Sequence, residues 1–202
     1  MLNVGLTGSI AVGKSFVCGQ FRKLGCHVLD ADKTARDVVA IGTAGLAQIV
    51  DNFGPAVLQQ NGELDRKKLG SIVFADEEKR KLLNAIVHPL VMEAEDRWLR
   101  DREHFDPKGI AIIDAALLIE SGGYKRFDKI IVVWCDSAIQ LKRLMLRDSI
   151  TESEATVKIK AQMSQDEKKQ YSDFLIDTSD GFEAAADQSV AVYRQLTDLI
   201  KI

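Results

Sequence analysis

Apolar and polar positions along this chain follow two rhythms. Short, largely apolar runs recur at Asn3–Leu6, Cys26–Leu29, Ile110–Ile113, Ile130–Cys135 and Phe174–Ile176. Runs of this length with little polar character on either face predict strands buried on both sides. Between them, apolar residues return every three or four positions, the period of a helix packed on a core. A first helix is predicted from Lys14 to Leu24, stopped by Gly25. The section 33–108 keeps helical periodicity throughout. There Asp65 is positioned to cap Arg66–Phe74 and Asp76 to cap Glu77–Val87, before Pro89 interrupts the run. A second helical section spans Ser137–Gln170. Its capping boxes, Thr151-x-x-Glu154 and Ser164-x-x-Glu167, predict several short helices. Phe182–Ile202 reads as a final amphipathic helix. Strands alternating with helices predict a parallel sheet covered by helices. More than seventy residues between the second and third strands exceed a simple crossover, so a helical insertion is expected there.

Composition narrows the class without naming a chemistry. At 202 residues the chain can bury one sizeable core, with room for a small inserted subdomain. Apolar residues at 46% and charged residues at 28% are ordinary for a globular protein. A net charge of −3 gives no global attraction to nucleic acid or acidic membrane. The longest apolar run, Ile130–Cys135, is far too short to span a bilayer, and no secretory signal pattern precedes the first strand. Cys18, Cys26 and Cys135 are odd in number and lack metal-type spacing, so neither a disulfide framework nor a zinc site is expected, and a reducing cytoplasm is.

The candidate chemistry begins between the first strand and the first helix. Gly8, Ser9, Ile10, Ala11, Val12, Gly13, Lys14, Ser15 and Phe16 contain Gly-x-x-x-x-Gly-Lys-Ser, the phosphate-binding loop pattern. Glycines let backbone N–H groups approach phosphate oxygens without Cβ obstruction. Lys14 places a point charge on the terminal phosphates, and Ser15 is a candidate Mg²⁺ ligand. Against a plain glycine-rich turn stands the context, because the pattern follows a predicted strand and opens a predicted helix. No Gly-x-Gly-x-x-Gly is present for a dinucleotide, and no Asn-Lys-x-Asp for guanine. Asp51–Gly54 and Asp106–Gly109 follow no apolar strand and read as helix-end and turn residues.

Further carboxylates and cations cluster at predicted strand ends. Asp30 and Asp32, two apart in an extended segment, would face one crevice; the alternative is a pair of solvated turn aspartates. Asp114 ends the third predicted strand, where a carboxylate could hold the magnesium shell. Arg143 and Arg147 share a helix face by their i,i+4 spacing. Such a pair is either a solvated face or the arginine-bearing lid of a phosphotransferase. The residues alone leave three readings open: a small-molecule kinase, a P-loop kinase of nucleosides, nucleotides or shikimate-like hydroxyls, and a nucleotide-gated regulatory module.

Over nearly its whole length the chain resembles the dephospho-coenzyme A kinase family. The pieces that carry the resemblance are Gly5-Leu-Thr-Gly8 running into the loop, Leu29-Asp-Ala-Asp32, Gly62-Glu-Leu-Asp-Arg66 and Ile86-Val-His88-Pro89. The others are Asp114-Ala-Ala-Leu117-Leu-Ile-Glu120, the helix with Gln140, Arg143 and Arg147, then Gln162 and Ile176-Asp177. The resemblance implies a P-loop NTPase fold, a three-layer α/β/α body with a five-stranded parallel sheet. It implies a core of 1–32, 109–136 and 170–202, a helical acceptor domain at 33–108 and a lid at 137–169. The implied activity is ATP- and Mg²⁺-dependent phosphorylation of the 3′-hydroxyl of dephospho-coenzyme A, the last step of coenzyme A biosynthesis. On this resemblance Asp32 is the base, Lys14, Arg143 and Arg147 act on the phosphates, and Arg66, His88 and Leu117 lie on the acceptor side. The sequence departs from the family pattern at Ser9 and Ala11 (usually Gly), Phe16 (Thr), Ala116 (Pro), Ile119 (aromatic) and Thr178 (Asn).

Overall fold

A computed structural model describes residues 1–200; the predicted end of the last helix at Lys201 and Ile202 lies outside the described residues. Five strands, β1 (Leu2–Thr7), β2 (His27–Asp30), β3 (Ile110–Asp114), β4 (Lys129–Trp134) and β5 (Phe174–Asp177), form one parallel sheet in the order β2-β3-β1-β4-β5. β1 lies at its centre, with Val4 beside Ile112 and Gly5 beside Ile130. The middles of β1, β3 and β4 are apolar and buried because both faces of the central sheet are covered. In β4, Ile131 and Val133 join one core with Val4, Leu6, Val17, Phe21, Ile112, Val192 and Leu196. Ile130 and Val132 point the other way, into a second core with Leu118 and Ile119. Gly5 opens space for that second core, since a Cβ there would stand 2.6 Å from a methyl of Leu118.

Helix α1 (Lys14–Lys23) follows β1, and α9 (Phe182–Ile200) packs beside it on the first core. Helices α6 (Ser137–Asp148), α7 (Glu152–Lys160) and α8 (Gln165–Lys169) connect β4 to β5. Both capping boxes form as the sequence predicts: Thr151 and Ser164 each cap the third helical amide, and Glu154 and Glu167 return the bond. These reciprocal bonds hold both glutamate carboxyls below their usual range.

By contact density the chain divides into two compact units, Met1–Asp30 with the chain from Asp101 onward, and Ala31–Arg100. The second contains α2 (Ala31–Asp37), α3 (Ala44–Phe53), α4 (Arg66–Ala75) and most of α5 (Glu77–Phe105). Its own core gathers Val39, Leu46, Ile49, Val57, Leu64, Leu69 and Ile86. Asp65 caps α4 through the Lys68 amide at 2.9 Å, as its position predicts.

Two local expectations are corrected. The helix does not break at Pro89; α5 runs 29 residues with Pro89 inside it. Proline costs one backbone bond and crowds the preceding turn, but a long helix continued on both sides can absorb that loss. The second strand stops at Asp30, and α2 starts at Ala31, so Asp32 sits in a helical first turn and not on a strand face with Asp30. A carboxylate is favoured in that first turn by the helix dipole. Among the described residues, no helix is long and apolar enough to cross a membrane.

Candidate functional site

The loop between β1 and α1 has the backbone that phosphate binding requires. Gly13 is the N-cap of α1 at φ 90°, and no side chain caps the helix. The first amides of α1 are therefore free of a side-chain acceptor, and with the helix dipole they favour an anion. Gly8 passes so close to β4 that a Cβ would lie 2.5 Å from the Val133 carbonyl oxygen. Ala11 also takes a positive φ, 62°, a conformation that strains any residue with a Cβ. Phe16 turns away from the loop and packs on Phe182, ring centres 4.6 Å apart.

Lys14 lies in the first turn of α1 and donates to Asp114 Oδ1 at the end of β3. Asp114 is buried, and Lys14 is mostly so. The sequence-predicted cation and carboxylate thus meet at the carboxyl ends of the central strands, where parallel sheets bind ligands. Ser15 stands exposed beside them. Cys18, one turn further along α1, is driven well above the usual thiol range by burial and then by the Asp114 charge, so it stays a neutral filler. Burial likewise raises Cys26 to about 12.

The loop is held by a set of uncharged side chains whose roles the sequence did not disclose. The Ile10 amide donates to Gln162 Oε1 at 2.8 Å, and the Ile10 carbonyl accepts from Gln140 Nε2 at 2.8 Å. Gln140 is buried and in turn accepts from Gln165 Nε2, whose own Oε1 accepts from the Cys135 amide. The Ser9 hydroxyl donates to the Met163 carbonyl at 3.4 Å. Thr178, just beyond β5, donates from Oγ1 to the Val12 carbonyl at 2.7 Å. Arg143 grips that same threonine with both terminal nitrogens, one to Oγ1 and one to the carbonyl oxygen, each at 2.8 Å. A hydroxyl thus occupies the place where the family pattern has an amide.

At the exit of β3, the Ala116 carbonyl accepts from Thr7 Oγ1 and from Lys168 Nζ. Lys168 is wholly buried and also pairs with Glu120 at 2.9 Å, while Glu120 accepts from the Met163 amide. Alanine keeps the carbonyl that proline would have offered, and Ile119 fills the second core. Leu117, 52% exposed, is presented outward from this turn. Glu120 closes the motif Asp114–Glu120, but its buried partner Lys168 is not signalled by the sequence, because the run Gln165–Lys169 reads as a solvated polar helix.

Arg147 lies in the last turn of α6, exposed, with Nε on Asp148 Oδ1 at 2.8 Å. Lys158 of α7 shares that carboxylate at 2.7 Å, and the two cations, Arg147 first, pull it down to about 2. In the unit Ala31–Arg100, Asp32 and Arg36 are exposed on α2, Arg66 opens α4, and His88 is exposed on α5 beside Pro89. Arg66 donates to the Arg36 carbonyl at 3.2 Å.

Residues 2–183 match the sequence pattern of the family described as Dephospho-CoA kinase. A dephospho-CoA kinase of Geobacillus kaustophilus is 46% identical over 202 residues, covering 99% of each chain. A solved protein of Thermus thermophilus superposes with a TM-score of 0.83 at 27% identity, over 96% of this chain and 97% of that one. Dephospho-CoA kinase from Campylobacter jejuni superposes with a TM-score of 0.71 at 28% identity, over 97% of both chains. With its loop, its sheet order and these likenesses, the chain belongs to the dephospho-CoA kinase family of P-loop phosphotransferases.

Proposed function

We propose that this chain transfers the terminal phosphoryl group of ATP to the 3′-hydroxyl of dephospho-coenzyme A, giving coenzyme A and ADP. The observation that carries this reading is the uncapped α1 with Lys14 in its first turn, joined to family membership over most of the chain. Phosphoryl transfer asks little covalent chemistry of a protein. It asks for positioned charge along the transferring phosphates. The amides at the uncapped start of α1, from Gly13 to Ser15, and the Lys14 ammonium supply that charge, and binding of the nucleotide draws Lys14 from Asp114 toward the β- and γ-phosphates.

The magnesium ion that accompanies ATP suits the remaining groups. Ser15 offers a hydroxyl and Asp114 a carboxylate, a small donor set of the kind magnesium completes with phosphate oxygens and water. Bound there, the ion would neutralise phosphate charge. Asp32 acts as the base that orients the acceptor hydroxyl and takes its proton, Arg66, His88 and Leu117 contact the acceptor, and Arg143 and Arg147 serve the lid side. The three cysteines are free and buried, in keeping with a reducing, cytoplasmic setting.

The test is an acceptor panel with ATP and Mg²⁺, read by product mass. Dephospho-coenzyme A should gain one phosphate much faster than adenosine, AMP or shikimate. Asp32→Asn keeps size and hydrogen bonding while removing the basic charge, so kcat should fall roughly 10²–10⁴-fold with acceptor affinity retained. Faster turnover of a nucleotide or shikimate would defeat the substrate assignment. Normal turnover by Asp32→Asn would move the base to another carboxylate.

A further inference from the structure

Lys168 has no part in the phosphoryl transfer described above, yet among the described residues it is the one lysine or arginine that is buried. Its neighbours on α8, Asp166 and Glu167, are exposed. Burying an ammonium is costly unless it is paired and hydrogen-bonded, and here it is both. Its Nζ donates to the Ala116 carbonyl at 2.8 Å and pairs with Glu120 at 2.9 Å. An apolar side chain of similar volume would pack α8 at least as well. The charge is explained by what it holds in place.

Its two acceptors are the two ends of one turn, and Leu117 lies between them. Within that turn Leu118 and Ile119 enter the second core, at 5% and 4% exposure, while Leu117 is left 52% exposed. The Ser121 amide closes the turn on the Leu117 carbonyl at 3.0 Å. Thr7 Oγ1 donates to the Ala116 carbonyl at 3.2 Å, so the start of the turn is fixed from β1 and from α8 together. Glu120, at the other end, also accepts the Met163 amide at 3.2 Å. Leu117 therefore cannot shift without a buried, charge-assisted bond being broken. Asp114, two residues before the turn, is held separately by Lys14. The phosphate side of this segment does not hang on Lys168.

We propose that Lys168 is a positioning residue for the acceptor: it grips the turn at Ala116 and Glu120 so that Leu117 meets the acceptor in one fixed place. This rests on the dephospho-coenzyme A kinase reading above, in which Leu117 contacts the acceptor. Lys168 touches neither substrate and acts only through the turn. An apolar contact made equally in the ground state and the transition state sets KM and leaves kcat nearly alone. That split separates a positioning role from a general support of the fold.

The experiment is a double-mutant cycle on Lys168→Met and Leu117→Ala, read by steady-state kinetics with dephospho-coenzyme A and by melting. Each single variant should raise the acceptor KM by roughly tenfold, the size of one displaced apolar contact. The kcat, and the calorimetric Kd for a non-hydrolysable ATP analogue, should stay within about threefold of wild type. The double variant should be no worse than the singles, because both remove the same contact. Lys168→Met should also melt lower, since it strands the Glu120 carboxylate. Adding Glu120→Gln to Lys168→Met removes that unpaired charge and should restore melting, while the acceptor KM stays high. If Lys168→Met alone folds poorly, this charge-free pair carries the same kinetic comparison. An unchanged acceptor KM in either single variant overturns the proposal, and so does a KM rise that adds in the double. Equal losses for acceptor and nucleotide, or a KM that recovers along with melting, would reduce Lys168 to a support of the fold. A wild type that leaves dephospho-coenzyme A unphosphorylated defeats the kinase reading itself, whereas an active wild type with an insensitive Lys168 defeats only the positioning role.

Discussion

At residue scale, Ala11 shows how much backbone conformation the loop demands. Its φ of 62° is one of two positive values at non-glycine residues among those described. The left-handed region costs an L-residue about 1–2 kcal/mol, and alanine meets that cost with the smallest Cβ available. Ala11→Gly relieves the strain but frees the unfolded chain by a comparable amount. Its melting temperature should therefore stay near that of the wild type. A β-branched residue is far less tolerant of positive φ, so Ala11→Val should lose at least about 1 kcal/mol and weaken ATP binding. Equal stability of all three would show that position 11 does not hold the left-handed conformation. The loop's chemistry was legible in advance, because glycine, lysine and serine at fixed spacing have few other uses. Thr178 was not: its hydroxyl matters through one carbonyl 166 residues away in sequence, a relation that only the folded chain creates.

At the scale of elements, the strands and caps could be read because they rest on local physics. All five expected strands form, with ends shifted by a residue or so, and both capping boxes close. Buried polar partners follow a different logic. Gln140, one turn before Arg143 on α6, looks like any exposed glutamine of an amphipathic helix, yet it is 2% exposed and bonded at both ends of its amide. It joins α6 and α8 to the main chain of the loop. Gln140→Leu fits the volume but leaves the Ile10 carbonyl and the Gln165 amide without their partner. Each orphaned group costs about 1–3 kcal/mol. Melting should fall by roughly 5 °C or more for a protein of this size. The KM for ATP should rise more than kcat falls, since the loop is loosened and no reacting group is lost. A rise in stability would mean that the glutamine relay is dispensable to the loop.

At the scale of the whole molecule, the distribution of labour among charges decides which parts are fixed and which are free to move. The chain leaves the sheet unit after Asp30 and re-enters it at Asp101, within α5, a boundary that periodicity alone cannot place because the helix continues through it. Within the sheet unit, the two arginines of α6 share a face but not a situation. Arg143 is committed to Thr178 by two bonds at 2.8 Å, so it is part of the support for the loop. Arg147 is 55% exposed, and Asp148 keeps Lys158 as a second partner. A solvent-exposed pair of this kind is weak, so Arg147 can exchange it for a phosphate at little cost. Arg147→Ala should thus lower kcat tenfold or more and raise ATP hydrolysis relative to transfer, while the melting temperature shifts by no more than about 2 °C. Arg143→Ala should lower both activity and melting temperature, and Arg143→Lys should rescue neither fully, because an ammonium cannot span the hydroxyl and the carbonyl together. Turnover and hydrolysis both unchanged in Arg147→Ala would return the end of α6 to a solvated face and leave that helix only the support that Arg143 gives the loop.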